Sequence, residues 1–69
     1  MDQILWSGSG NPTNQVANRL GMPRWQLGDR LHAIKQAWGL GGAEWVTIWL
    51  SGRVTDEAGE EIGNLYDED

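Results

Sequence analysis

The chain has 69 residues, a formal net charge of −5 and no cysteine. That length allows one domain with a small core, burying about 60% of the surface the unfolded chain exposes, and the missing cysteines exclude disulfide staples and thiolate metal sites. No apolar run approaches the roughly twenty residues that cross a bilayer and no secretory signal pattern opens the chain, so a soluble, cytoplasmic protein with no membrane partner is expected.

Taken in order, residues 2–6 (DQILW) form either a short strand or an apolar plug, and the SGSGNP that follows is a turn segment. Asn11 or Thr13 can cap a first helix. That helix carries Val16, Ala17 and Leu20 on one side and ends at Gly21, since glycine takes the left-handed conformation of a helix C-terminus at little steric cost. Pro23 suits the first turn of a second helix. There Leu27, Leu31, Ile34 and Trp38 fall at spacings of four, three and four, a narrow apolar stripe. GLGG after Trp38 ends the helix and makes a compact hinge.

From residue 44 the chain turns β in character. EWVTIWL is branched and aromatic, Ser51-Gly52 reverses it, RVTD returns, Ala58-Gly59 reverses again, and EEIGNLY makes a third strand. A two-residue Ser-Gly loop would pair Leu50 with Arg53. A loop one residue longer, bulged at Gly52, pairs Leu50 with Val54 and keeps the aliphatic side consistent, which makes it the preferred register. The fold class is therefore α+β: one domain over 1–69, a helix-turn-helix-like helix pair over 11–38, a three-stranded antiparallel β-meander over 44–66 packed on the second helix, and an acidic tail at 67–69. Five tryptophans with no phenylalanine are expected to supply buried area. Trp25, nearly opposite the leucine stripe, is expected to be covered with the sheet on one flank and the first helix on another.

Charge divides unevenly along the chain. Between Thr13 and Trp38, Arg19, Arg24, Arg30 and Lys35 face Asp29 alone, whereas seven carboxylates and no base lie between Val54 and Asp69. One reading is a solvated surface that keeps a small protein soluble. The other turns the helical half towards nucleic acid, with the tail opposing it or pairing with the chain's own arginines or a basic partner.

Three residues of the second helix carry possible chemistry. His32 lies three after Asp29 and three before Lys35, so all three can approach on one surface. Gly28, one turn earlier, leaves a notch, and a mid-helix glycine costs roughly 1 kcal/mol against alanine. Either a neighbouring element packs on it or it opens a pocket. In a pocket His32 would act as general base, Lys35 would bind phosphate and Asp29 would orient the imidazole. Such a set supports metal-free phosphodiester cleavage and requires no cofactor. No spacing of histidines and carboxylates suits a metal, and DEAGEE lacks the alternating ligands of a calcium loop.

Residues 13–38, with Ala17, Gly21, Leu27 and Leu31, resemble the helix-turn-helix of phage repressors. That likeness implies a non-catalytic module binding DNA or a protein partner, with Arg24, Gln26 and Arg30 at the end of the second helix that meets base edges. The same helix pair is also readable as a structural corner. The stretch from Leu27 to Glu68, LGDRLHAIKQAWGLGGA followed by VTIWLSGRVTDEAGEEIGNLYDE, is similar to the C-terminal toxin modules of bacterial polymorphic, Rhs-type secreted proteins. This second likeness implies helices followed by an antiparallel sheet, an action on nucleic acid such as RNA cleavage, and an immunity protein as partner. It makes His32, Lys35, Arg53 and Thr55 positions to suspect. Candidate nucleic-acid contacts are thus Arg19, Arg24, Gln26, Arg30 and Arg53, and self-association is a further option.

Overall fold

A computed structural model describes residues 2–41 and 44–66. The element order is β1 (Ile4–Gly8), α1 (Asn14–Leu20), α2 (Arg24–Ala37), β2 (Val46–Trp49), β3 (Arg53–Asp56) and β4 (Glu61–Asn64). The strands form one antiparallel sheet in the order β1-β2-β3-β4. It has four strands rather than three, because Ile4–Gly8 joins β2 as a strand with a bulge between Ile4 and Trp6.

The helix pair follows the local signals. Thr13 has the extended backbone of an N-cap, although its side chain makes no capping bond. Gly21 stands at φ +73°, and the N–H groups of Gly21 and Met22 donate to the carbonyls of Asn18 and Ala17. Pro23 is the N-cap residue of α2. At the far end, the Leu40 N–H donates to the Lys35 carbonyl at 2.8 Å and the Gly39 N–H to Gln36 at 3.0 Å, which satisfies the last carbonyls of the helix. The rest of the expected hinge, at 42 and 43, lies outside the described residues, as does the acidic tail at 67–69.

The buried stripe of α2 departs from the leucine pattern. It runs Leu27, Leu31 and Lys35, with Ile34 half-buried, while Trp38 ends the helix nearly half exposed. The core is aliphatic: Val16, Ala17, Leu20 and Met22 from the α1 region and Leu27 and Leu31 from α2 meet Val46, Ile48, Val54, Ile62 and Leu65. None of the tryptophans is fully buried: Trp6 packs half-buried against the core and Trp49 is half-buried, so these two supply part of the expected buried area, while Trp25, Trp38 and Trp45 are exposed. Trp25 is 69% exposed, and neither the sheet nor α1 covers it.

The sheet explains where two of the indoles go. Its inner face carries Val46, Ile48 and Val54. On its outer face Trp49 donates to Thr55 Oγ1 at 2.9 Å and Trp45 donates to Ser7 Oγ at 2.8 Å. Both rings thereby lean across neighbouring strands and satisfy their N–H groups on hydroxyls.

The β2–β3 register pairs Ile48 with Val54. It keeps the aliphatic side consistent, as the preferred register intended, but shifts the pairing so that Leu50 enters the turn and does not face Val54. Gly52 sits at φ +90°, and a Cβ there would strike the Tyr66 ring. After β4 the chain folds back: Leu65 N–H donates to the Gly52 carbonyl at 2.7 Å, and Tyr66 Oη donates to the Leu20 carbonyl at 2.7 Å. This last contact ties the end of the sheet to the helix pair.

Candidate functional site

The outer side of α2 holds an open hollow of about 320 Å³ lined by Asn11, Pro12, Arg24, Trp25, Gly28, Asp29 and His32. Helical geometry explains its shape. Arg24, Gly28 and His32 are four residues apart and form one row along the helix. The middle member has no side chain, so a cation and an imidazole flank a gap. Nothing lies within 4 Å of where a Cβ on Gly28 would stand. The notch is therefore open, and the packing account of this glycine does not apply. Trp25 and Asp29 make the adjacent row, and the buried Pro12 seats the loop before α1 against the hollow.

The structure brings some of the predicted residues together and separates others. His32 and Asp29 share the hollow with Arg24. Lys35 does not line it: this side chain is only 3% exposed and belongs to the inner stripe of α2. Burial lowers its ammonium below the ordinary 10.5, with the Glu44 carboxylate partly restoring the charge. Arg24 is exposed and makes no ion pair among the described residues. Arg30, in contrast, donates to the Leu65 carbonyl at 3.1 Å and so helps hold the chain end. Gln26 is half-buried, and Arg19 lines a different hollow beside β1.

Arg53 and Thr55 lie on the outer face of the sheet, with the sheet between them and the hollow. The Arg53 guanidinium stands 5.0 Å over the Trp49 ring and lies 3.8 Å from Asp2 and 3.6 Å from Glu61. Asp2 also accepts from the Ser51 hydroxyl at 2.7 Å and the Ser51 N–H at 3.1 Å. Burial pushes its carboxyl up, but these bonds, the Gln3 N–H and Arg53 outweigh that and hold it below the ordinary 3.8. Thr55 is buried as the acceptor of the Trp49 indole. Both residues serve the sheet's own bonding.

Sequence reasoning named His32, Asp29, Gly28 and Arg24 but missed Trp25, Asn11 and Pro12 as parts of one site. The four-residue row Arg24-Gly28-His32 was the available signal. Among the described residues, no cluster of histidines and carboxylates could hold a metal ion, and no helix is long and apolar enough to cross a membrane. No family model, curated protein or solved structure matches the chain.

Proposed function

We propose that the chain is a small nucleic-acid-binding module whose contact surface is the outer side of α2. The observation that carries this reading is Trp25, 69% exposed on the rim of an open hollow beside Arg24. An indole face in that position stacks an unpaired base in a sequence-tolerant way, and an adjacent guanidinium holds the neighbouring phosphate. Asn11 and His32 supply hydrogen-bonding groups for the base or sugar edge. Single-stranded RNA or DNA fits better than duplex, because a stacking platform needs a base that has left its own stack. The resemblance to toxin modules that act on nucleic acid supports the same class of ligand, and under it an immunity partner would cover this side of α2.

The test is fluorescence anisotropy with a labelled single-stranded oligonucleotide at low and moderate salt. Trp25→Ala is expected to cost about 1–3 kcal/mol of binding. Arg24→Ala is expected to weaken binding and flatten its salt dependence. Gln36→Ala, on an exposed part of the same helix, is the control. If Trp25→Ala binds as tightly as the parent, this reading is lost.

A second reading, RNA cleavage, is favoured by one feature: the imidazole and a cation share the hollow. His32 would take the proton from a 2′-hydroxyl, the O2′–P bond would form, and the P–O5′ bond would break, the 5′ oxygen gaining a proton from water. Arg24, rather than Lys35, would hold the charge on the phosphate. Cleavage leaving a cyclic phosphate, abolished in His32→Ala with the fold intact, is the expected result. RNA left uncut by the parent protein would remove this second reading and leave the binding reading standing.

A further inference from the structure

A second hollow, of about 380 Å³, lies between β1 and α1. It shares no residue with the first and owes nothing to the nucleic-acid reading. One wall is a strand edge. Among the described residues β1 has β2 as its single sheet neighbour, so its other edge carries backbone N–H and C=O groups with no strand partner there. The consecutive residues Ile4, Leu5 and Trp6 line the hollow from that strand. Ile4, opposite Trp49 at the start of the strand, is 52% exposed.

The opposite wall is the N-cap Thr13 with Gln15 and Arg19 of α1, and the buried Val16 between them. These three polar side chains make no hydrogen bond or ion pair among the described residues. Thr13 occupies an N-cap position without using its hydroxyl for the cap. Seven of the chain's ten carboxylates lie among the described residues, and none of those seven pairs with Arg19. Among the described residues the lining of this hollow contains no Asp or Glu.

A strand edge faced by a helix, with mostly apolar residues on the strand side and mostly polar ones on the helix side, has a specific use. It accepts an extended peptide as an added strand: the edge supplies main-chain hydrogen bonds, and the gap between strand and helix receives alternate side chains. We propose that the β1–α1 groove binds an extended peptide segment bearing an acidic side chain, with β1 as the pairing edge and Arg19 as the carboxylate's partner. Charge complementarity selects the acidic residue, since the guanidinium is the only formal charge that the described residues bring to the lining. The strand edge selects a peptide over a nucleic acid, because its alternating donors and acceptors match another β-strand. Ile4, Leu5 and Trp6 favour apolar neighbours to that acidic residue.

The full ¹⁵N-labelled chain should be titrated by NMR with an acetylated, amidated peptide of alternating Val and Thr carrying two Glu. Saturable shifts are expected at Ile4–Ser7 and Gln15–Arg19, and the Arg24–His32 hollow should not respond. A twin with Lys in place of Glu should bind at least about tenfold more weakly. Twins N-methylated along one edge or the other separate strand addition from simple charge attraction, because one of them should lose binding and the other keep it. Arg19→Glu should reverse the Glu-over-Lys preference, and Gln15→Lys should strengthen it. Equal binding of the Glu and Lys twins, or of both methylated twins, would overturn the proposal. So would shifts of the β1 edge that depend on protein concentration alone, which would assign the groove to a second copy of the chain. Response of the groove to an oligonucleotide but not to the peptide would overturn it as well.

Discussion

The two sides of α2 are built on opposite rules, and two glycines show it. At Gly63, on β4, an added Cβ would stand 2.8 Å from Ile34 side-chain atoms of α2. At Gly28, on the far side of the helix, it would meet nothing within 4 Å. The first glycine exists because helix and sheet touch. The second costs helix stability with no packing return, and the space it leaves belongs to the hollow between Arg24 and His32. Openness on that side is a property of the residues chosen, whereas closeness on the other is a requirement of the core.

The largest test of the contrast is truncation on each side. Leu27 is fully buried in the inner stripe, and Leu27→Ala is expected to cost about 2–5 kcal/mol. A chain of this size has roughly 3–10 kcal/mol in total, so the variant should be partly unfolded by circular dichroism at 37 °C. Trp25→Ala, two residues away in sequence, should change stability by less than about 0.5 kcal/mol while weakening oligonucleotide binding by about 1–3 kcal/mol. Comparable destabilisation by the two substitutions would erase the distinction between the sides.

Gly63→Ala is next in size. Ile34 must move to admit the methyl group, at a cost of about 1–3 kcal/mol, read as a lower midpoint in urea. The double variant Gly63→Ala with Ile34→Val should recover part of the loss, because it removes one of the contacting carbons. A single variant as stable as the parent would mean that α2 does not sit on β4 as described.

The inner side also carries a charge, and its titration sharpens the comparison. Lys35 loses protons more readily when folded than when unfolded, since burial lowers its value below 10.5. The unfolded chain therefore binds more protons between the lowered value and 10.5, and stability should rise with pH across that window. Below it both states hold the proton, and above it neither does. Lys35→Met should remove this rise from a series of urea titrations, and a rise that persists would place its origin elsewhere.

What could be read from the sequence follows from the same contrast. The helix pair was legible because its signals are local: leucines at helical spacing, Gly21 at the turn and Pro23 at the next start. The parity of the β2–β3 pairing was legible because Val46, Ile48 and Val54 must share the inner face. For residues 2–6 the local sequence suits a strand and a plug equally, since the pairing of β1 with β2 joins residues about forty apart and leaves no local trace. The tryptophans are only partly legible, because hydrophobic size says little about a side chain with an N–H to satisfy: Trp6 packs on the core, whereas hydroxyls on the outer face meet that need for Trp45 and Trp49. Spacing alone puts Lys35 beside His32, but the side chain belongs to the buried stripe. Its long alkyl stem let it replace Trp38 in the buried stripe.

The smallest expected effect is the most informative about the hollow. Gly28→Ala meets no neighbour, and alanine restores helix propensity and narrows the unfolded ensemble, so stability should rise by up to about 1 kcal/mol. A thermal midpoint a few degrees higher is the expected readout, on the order of 4–8 °C per kcal/mol for a domain this size. The same methyl group stands between Arg24 and His32 and takes up space that the proposed base or phosphate would use. Gain of stability should therefore accompany loss of oligonucleotide affinity, a combination that general destabilisation cannot produce. If stability rises and affinity stays unchanged, the ligand does not enter the gap and binding rests on the Trp25 rim alone. If stability falls, another element reaches Gly28 in solution and the outer side of α2 is not open.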